Sequence, residues 1–434
     1  MTTVPAIKQR DREALRARIR VAMDLAIGNS PAQAHRALED VSGAVDAAGD
    51  EIVALYFQTR AIANVKARLL VEGFGAFERS LAAARRHGEP ALCARILINY
   101  GTAAVQDGDI DLAIACLEES LETSRTIERT TARNTLEKVR NLASSKPVAL
   151  VSLGEALYAA GQLERAAATL HEFHSIRSGN SGDLLVAAAI GIPLGLLLGD
   201  DALLKLSYDP NLLDLAFARR EQWLLGPIVE AFCFYFEFHG RRDEHDALLV
   251  KALDDLASVD NSLALAIRIG RLGPSTHLPR VSALVAAHCP ETSDSVRAHR
   301  DLFDSFIASR RQTAGSAKEL GLRAESAFAR AGRPLARALA LQAAGLASES
   351  DALLRSCGAR AGSALQWSGS RIHRRLATQL TAREDEIARL AARGLTNRAI
   401  ATALNLSERT VQHHCEAIFG KLGIRSRWQL TDAF

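Results

Sequence analysis

The C-terminal stretch LTAREDEIARLAARGLTNRAIATALNLSERTVQHHCEAIFGKLGIRSR, Leu380 to Arg427, contains regularly placed helix start and stop signals. Thr381 and Glu384 have the spacing of a capping box, and Gly394 follows as a stop signal. Further hydroxyl residues precede helical patterns as N-caps: Thr396, Ser407 and Ser426. The stretch therefore predicts four helices, the middle two joined by a tight turn at Asn405, which is a helix-turn-helix arrangement.

The third predicted helix, 408–422, has one apolar and one polar face. Apolar side chains recur at helical spacing on the buried stripe: Val411, Cys415, Ile418 and Leu422. Polar side chains form the opposite, exposed face: Arg409, Gln412, His413 and Glu416. A helix that presents polar side chains outward can enter the major groove of DNA and read base edges, while flanking hydroxyls and cations contact phosphates.

The same stretch resembles the LuxR-type (GerE-type) DNA-binding domain. The segments that carry the resemblance occur in family order and spacing: LTxRE, GLTNRxIA, LxLSxRTV, KLGI and SR. They cover about an eighth of the chain and are specific, because a chance match at so many spaced positions is improbable. The resemblance implies a transcriptional regulator that binds double-stranded DNA.

The resemblance also implies roles for individual residues. Gln412, His413 and Glu416 stand where the family contacts bases, and Arg409 shares their exposed face. Hydroxyls and cations are expected to contact the DNA backbone: Thr396, Arg398, Ser407, Thr410 and Lys421.

Two positions depart from the family pattern. The family usually has a cation where Gln412 stands, and often a basic or neutral residue where Glu416 stands. Glutamine can bond bidentately to adenine, whereas a groove-facing glutamate accepts only from cytosine N4 and otherwise repels phosphate. We therefore expect modest affinity.

Charge is divided unevenly along the chain. The whole chain carries 53 cations and 50 acids, a net charge of +3. Residues 371–434 hold eleven cations and six acids, a net charge of +5, whereas the remaining 42 cations and 44 acids give −2. A polyanionic partner, double-stranded DNA, is expected for the C-terminal end only.

Most of residues 10–355 shows helical periodicity cut by short turn signals, and aromatics make up only 5% of the chain. Two windows, LINYGTAAVQDGDIDLAIACLEESL and LVSLGEALYAAGQLERAAATLHEF, align on Gly101 and Gly154. Each window has a second glycine, then an alanine, then a leucine at the same offsets: Gly108 and Gly161, Ala113 and Ala166, Leu117 and Leu170. Small residues allow two helices to approach closely, and the second glycine turns the chain between them.

These windows resemble the tetratricopeptide repeat, a helix–turn–helix unit of ~34 residues. The offset of 53 residues between Gly101 and Gly154 departs from that period, so the array is irregular or contains an extra helix. We predict an all-α chain, an irregular tetratricopeptide-like helical array followed by a four-helix LuxR-type helix-turn-helix domain. The predicted boundaries are 1–355 for a helical-repeat domain that senses a ligand or interacts with a partner, 356–375 for a Gly- and Ser-rich linker, and 376–434 for the DNA-binding domain.

The body lacks the signatures of the common LuxR-family sensor domains. A receiver or an autoinducer-binding domain requires β-strands that the pattern does not predict, and the P-loop of the large ATP-dependent members, GxxxxGK[ST], does not occur. The body resembles the helical-repeat sensor region of those large regulators without the ATPase. The segment GRPLARALALQAAG, Gly332 to Gly345, resembles their last repeat before the linker.

The most apolar run is LLVAAAIGIPLGLLLG, Leu184 to Gly199. Its 16 residues fall short of the ~18–20 that span a bilayer, so we expect a buried helix of the array and no membrane contact. Six scattered cysteines without a CxxC pair indicate reduced thiols, and Asp24 interrupts any signal-peptide core. A cytoplasmic, nucleoid-associated protein is expected.

Three local patterns leave alternatives open. His171 and His174 have a spacing that can bind a metal, but an exposed polar helix face is the simpler interpretation. The aromatic run 232–238 indicates core packing, with a small-molecule pocket or partner groove as the alternative. The run 413–415, His-His-Cys, suggests metal or redox sensing, although Cys415 falls on the buried stripe. No catalytic motif occurs, so we expect no enzyme, no cofactor and no metal.

Two classes of function remain open at this point. The first is a sequence-specific regulator whose repeat domain senses a ligand or protein. The second is a helical-repeat adaptor with a weakened DNA-binding domain. For the first, a homodimer is expected, because one recognition helix reads only a few base pairs and family members pair through the last helix, here 426–434.

Overall fold

The described residues form an all-α protein of 22 α-helices with no β-strand. The computed structural model describes residues 9–28, 30–130, 146–176, 180–219, 222–239, 241–255, 266–267, 270–271, 273, 278–288, 294–311, 313–360, 380–392 and 395–422. The predicted fold class is confirmed.

Nineteen of these helices belong to the array. In chain order they are α1 (Gln9–Ile27), α2 (Pro31–Glu39), α3 (Ser42–Val45), α4 (Asp50–Lys66), α5 (Leu70–His87), α6 (Pro90–Asp107), α7 (Ile110–Thr130), α8 (Lys146–Ala159), α9 (Leu163–Ser175), α10 (Ser181–Leu198), α11 (Asp201–Ser207), α12 (Pro210–Arg219), α13 (Gln222–Phe238), α14 (Arg242–Asp255), α15 (Leu278–His288), α16 (Asp294–Arg310), α17 (Ala314–Arg330), α18 (Pro334–Ala343) and α19 (Ala347–Ser356). The remaining three are α20 (Ala382–Ala392), α21 (Asn397–Leu404) and α22 (Glu408–Leu422).

Start signals in the sequence explain where several helices begin. Proline is the first residue of α2, α6 and α18, where its missing N–H costs no intrahelical bond. Asn180 and Asp183 form a capping box at the start of α10, each side chain accepting from the other's backbone N–H.

The two aligned windows fold as helix pairs, α6 with α7 and α8 with α9. A Cβ atom built at Gly101 would lie 2.7 Å from Leu117 Cγ, and one built at Gly154 would lie 3.0 Å from Leu170 Cδ2. The turn glycines, Gly108 and Gly161, have φ of +95° and +72°, a left-handed conformation that disfavours other residues. The close approach and the turns predicted from these glycines are therefore confirmed. The assignment to tetratricopeptide repeats stays a prediction, and the residues 131–145 that lie within the irregular offset are outside the described residues.

The array contains two large apolar cores. One is built mainly from α1 to α7, between Leu15 and Cys116, and the other runs from Ile98 to Ala359. The apolar helix α10 lies in the second core, where Ile192, Leu194 and Leu197 are fully buried. α10 is long and apolar enough to cross a membrane by composition, but 61% of it is buried inside the array. α10 is therefore a core helix of the array, as predicted, but the prediction that the run is too short to span a bilayer was wrong, because the helix has 18 residues.

The structure shows how the side chains of two patterns left open by the sequence are packed, and it places His171 and His174 half-buried rather than on a fully exposed face. In the aromatic run, Phe232, Phe234 and Phe236 are buried, and Tyr235 stacks on Tyr208 with ring centroids 3.8 Å apart. His171 Nε2 lies 2.8 Å from Asp200 Oδ2. Within the described part of the chain, no group of three or more His, Cys, Asp or Glu side chains is arranged to hold a metal ion.

The array ends on residues that pack against its middle. The Arg360 backbone N–H donates to the Leu197 carbonyl at 3.0 Å, and Ala359 is 5% exposed. Residues 357–360, which the sequence placed at the start of the linker, therefore belong to the packed array. The rest of the predicted linker, 361–375, is outside the described residues, so the domain boundaries stay predictions.

Candidate nucleic-acid interface

A capping box starts the first helix of the C-terminal domain, α20. The Thr381 backbone N–H donates to Glu384 Oε2 at 2.7 Å, and the Glu384 N–H donates to Thr381 Oγ1 at 3.3 Å. The start predicted from the Thr381 and Glu384 spacing is confirmed.

Glu384 has a second partner that the sequence did not predict. Lys421 Nζ, near the end of α22, lies 2.8 Å and 2.7 Å from the two carboxylate oxygens, and Glu384 is 6% exposed. The hydrogen bond from Lys421, followed by those from Thr381, lowers the pKa of the Glu384 carboxyl. Lys421 is thus part of the ion pair that joins the two ends of the domain. No local pattern links residues this far apart in sequence.

The short helix α21 is held at both ends by polar contacts. Thr396 Oγ1 accepts from the Ala399 N–H at 3.2 Å, as expected for the predicted N-cap. Asn405 ends the helix with a left-handed φ of 55°. Arg383 on α20, which sequence reasoning missed, donates to the Leu404 carbonyl at 2.7 Å. This bond satisfies a carbonyl at the C-terminal end of α21, where the helix itself provides no partner.

Hydroxyl groups cap the third helix, α22. The Thr410 N–H donates to Ser407 Oγ at 3.1 Å, and the two hydroxyls lie 2.7 Å apart. Ser407 is therefore the predicted N-cap. Both hydroxyls lie at a helix N-terminus, where partial positive charge and free N–H groups favour an anion such as phosphate.

The buried stripe of α22 closes the core of the domain. Val411 and Ile418 are fully buried and Cys415 is 5% exposed, in contact with Ile387, Ile400 and other apolar residues of α20 and α21. Leu406 packs on the same core as Val411, the arrangement of a hydrophobic staple at the start of α22. Because Cys415 is part of this core, its thiol is poorly placed to act as a surface redox or metal sensor.

The opposite face of α22 is exposed, and two of its side chains approach the Glu416 carboxylate, one of them within hydrogen-bond distance. Gln412 Nε2 donates to Glu416 Oε1 at 3.2 Å, and His413 Nδ1 lies 3.7 Å from Glu416 Oε2. The His413 and Glu416 side chains are 70% and 60% exposed. Glu416 therefore already accepts a hydrogen bond from Gln412, and any cytosine amino group would compete with that donor.

Two cations remain available near this face. Arg398 on α21 and Arg409 on α22 are exposed. Neither guanidinium group makes an ion pair with another residue that the structure describes. The predicted fourth helix, 426–434, and the cations Arg425 and Arg427 are outside the described residues.

Comparison with known proteins agrees with this geometry. Residues 378–434 match the family described as bacterial regulatory proteins, luxR family (GerE). A 53-residue segment is 47% identical to proteins of Mycobacterium bovis and Mycobacterium tuberculosis whose names call them HTH-type transcriptional regulators. The match covers 12% of this chain and 6% of each relative, so it concerns one short segment of both.

Proposed function

We propose, from the LuxR-type helix-turn-helix domain at residues 378–434, that the chain is a transcriptional regulator that reads a double-stranded operator. The observation that carries the proposal is the α22 face. Its polar side chains are exposed on a helix whose other side is fixed in a small core by α20 and α21. Such a helix fits the major groove, which is ~12 Å wide.

We assign direct base contacts to the exposed face of α22: Arg409, Gln412, His413 and Glu416. Contacts with the DNA backbone are assigned to Thr396, Arg398, Ser407, Thr410 and Lys421. The observations that support the backbone contacts are the hydroxyls at the starts of α21 and α22 and the exposed guanidinium group of Arg398. Lys421 reaches a phosphate only if it shares its ammonium group with Glu384.

Specific binding requires a homodimer in this proposal, because a single α22 covers only a few base pairs. The last segment of the chain, 426–434, and the array supply the dimer contacts. The array senses a small ligand or a protein, without ATP, since the chain contains no phosphate-cradling loop of the P-loop type. The protein acts on the nucleoid in the cytoplasm.

The adaptor alternative rests on Glu416. Its carboxylate already accepts from Gln412 and repels phosphate, which weakens the groove-facing surface. Measuring binding to duplex DNA separates the two functions, because an adaptor does not need to bind DNA.

The test measures binding of the full-length protein to a random-sequence duplex library by fluorescence anisotropy across a range of salt concentrations, followed by selection of the preferred sequence. A regulator binds with low-micromolar or tighter affinity, selects a sequence, and loses affinity steeply as salt rises.

Arg398→Gln should flatten the salt slope by about 0.9, the value for one released phosphate contact. The matched control is Arg355→Gln, an exposed arginine of α19 that should leave binding unchanged. A salt-independent response, or no binding at low salt, contradicts the regulator and supports the adaptor.

A further inference from the structure

A cavity of about 440 Å³ lies where the two aligned helix pairs of the array meet, between α7, α8 and α9. Its floor consists of four leucines that are at most 6% exposed: Leu121, Leu150, Leu153 and Leu157. Its sides are formed mainly by polar side chains of α7 and α9. An apolar floor with a few polar groups around it, in a volume within the usual ~300–1,000 Å³, is the composition of a small-molecule site.

Two ion pairs cross this cavity from α7 to α9. Glu118 pairs with Arg165, and Arg125 Nη2 lies 3.1 Å from Glu172 Oε2. In both pairs the partners are 47 positions apart in sequence, so the two helices run in the same direction and in one register. Along α7 the pairs are separated by 125 − 118 = 7 residues, a distance of about 10.5 Å. The two pairs therefore mark the two ends of the cavity.

The ion pairs lie on the solvent side of the leucine floor. Their four side chains are 34–53% exposed, whereas the leucines are almost completely buried. A peptide helix, which is ~10–12 Å wide with its side chains, would have to break both pairs to reach the leucines. A small molecule can enter between the pairs and leave both intact. The geometry therefore favours a small molecule over a protein partner at this site.

The charges around the cavity are balanced. Five charged side chains line it, and the ammonium group of a sixth lies 3.4 Å from Glu172 Oε1. They are three acids and three cations: Glu118, Glu122, Glu172, Arg125, Arg165 and Lys146. An ion that enters the cavity loses its hydration and meets no surplus of opposite charge, whereas an uncharged molecule loses little hydration. The balance of charge therefore favours an uncharged ligand.

Hydrogen-bonding capacity remains on both sides of the cavity. Arg125 carries five N–H groups, and within the described residues one of its nitrogens, Nη2, donates to Glu172. The Thr169 hydroxyl donates to the Arg165 carbonyl at 2.9 Å, which leaves its oxygen as an acceptor. A ligand can therefore find a donor on α7 and an acceptor on α9.

We propose that this cavity binds an uncharged, largely apolar small molecule, which lies on the leucine floor between the two ion pairs. Removal of its apolar surface from water supplies most of the binding free energy. Polar atoms at its edges bond to Arg125 and Thr169. The inference rests on the proposed function, in which the array senses an effector, and it names the chemical class of that effector.

The experiment uses two fluorescent probes that differ by one charged group. Phenylnaphthylamine is uncharged and apolar, and anilinonaphthalene sulfonate has the same skeleton with an added sulfonate. Both probes gain fluorescence in apolar surroundings, so each can be titrated with the full-length protein. The uncharged probe should bind saturably, with one molecule per chain. The sulfonate should bind roughly tenfold more weakly or worse, a difference of about 1.4 kcal/mol or more.

An exposed alanine in the lining, Ala168, allows the cavity to be filled. Ala168→Phe should place a ring over the leucine floor and weaken binding of the uncharged probe roughly tenfold or more. Ala82→Phe, at an exposed position on α5, is the matched control and should bind the probe as the unmodified protein does.

Glu122 tests the argument from charge with little change of shape. Glu122→Gln leaves a surplus of positive charge around the cavity, so the sulfonate should bind roughly threefold more tightly or better. The affinity for the uncharged probe should not change. Glu78→Gln, at an exposed position on α5, makes the same change in net charge away from the cavity and should alter neither affinity. Glu122→Gln remains informative if Ala168→Phe fails to fold.

Four results would overturn the inference: the uncharged probe does not bind, the two probes bind equally tightly, a folded Ala168→Phe binds the uncharged probe at full affinity, or Glu122→Gln leaves the affinity for the sulfonate unchanged. Duplex binding measured on the same preparation keeps the two proposals apart. Intact DNA binding without probe binding rejects only the cavity as a site, whereas absence of DNA binding rejects the proposed function.

Discussion

The DNA-binding domain and the helical array each hold a shielded glutamate near a cation, with opposite results. Glu384 bonds directly to Lys421, and its pKa is lowered. Glu155 lies within reach of the charge of Arg333 but makes no bond with it, and its pKa is raised to about 7. Burial alone therefore does not fix the charge of a glutamate, because a hydrogen-bonded counter-charge outweighs desolvation and a distant one does not. A directly bonded counter-charge therefore keeps a carboxylate ionised to lower pH, whereas a carboxylate without one stays protonated to higher pH.

The largest expected effect tests the unpaired member, Glu155. Its pKa in the folded chain is above the model-peptide value of 4.5, so its stabilising contribution is complete below about pH 4.5 and is lost as the pH rises through about 7. The array should lose about 2–4 kcal/mol over this range, and Glu155→Gln should abolish the loss. The loss of stability is measured by amide hydrogen exchange of α8 in the full chain, after correction for the pH dependence of the intrinsic exchange rates. An unchanged pH profile in the variant would show that Glu155 is not the group responsible.

The paired member, Glu384, should behave in the opposite way. Its lowered pKa means that its contribution is present above the model-peptide value of 4.5 and is lost as the pH falls through the folded-state value. Glu384→Gln should destabilise the C-terminal domain by about 2–3 kcal/mol at neutral pH, because Lys421 loses a charged partner. Glu386→Gln is the control, since Glu386 is exposed. The destabilisation is measured as loss of amide protection in α20 and α22 by hydrogen exchange. Equal protection in both variants would mean that the ion pair contributes nothing to stability.

A third glutamate, Glu416, is exposed, and its partner Gln412 gives the next prediction. Gln412→Ala should cost roughly 1–3 kcal/mol on the selected operator and little on random DNA, as loss of a base contact does. Anisotropy on both duplexes measures the difference. An equal loss on the two duplexes would assign Gln412 to the DNA backbone.

The smallest expected effect concerns the charge of Glu416. Glu416→Lys replaces an exposed acid with a cation, so non-specific binding should strengthen and the salt slope should steepen by about one to two units. Glu349→Lys, at an exposed position on α19, is the control for net charge alone. If both Gln412→Ala and Glu416→Lys leave affinity and slope unchanged in a folded domain, α22 does not face DNA.

Short-range patterns predicted much of the DNA-binding domain. The caps at Thr381, Thr396 and Ser407 and the two faces of α22 each depend on residues within one or two helical turns, so local spacing determines them. The same holds in the array for Gly101 and Leu117, which belong to one helix pair.

Contacts between distant elements were not predictable in this way. Lys421 was assigned to phosphate from its position in α22, because nothing near it in sequence shows that Glu384 will lie beside it. Gly108 was identified as a turn, yet its neighbour Arg333 comes from the other end of the array. Glu155 carries no motif, and its altered pKa arises only once surrounding helices enclose it.

The contact between the Gly108 turn and Arg333 also sets an order of events during synthesis. Each helix pair can pack as soon as it leaves the ribosome, but the turn at Gly108 must wait for Arg333, which is 225 residues further along the chain. At ~5–20 residues per second, that delay is roughly 10–45 seconds. This contact is therefore completed late, shortly before residues 378–434 are made, so the turn at Gly108 stays uncovered while most of the array is synthesised.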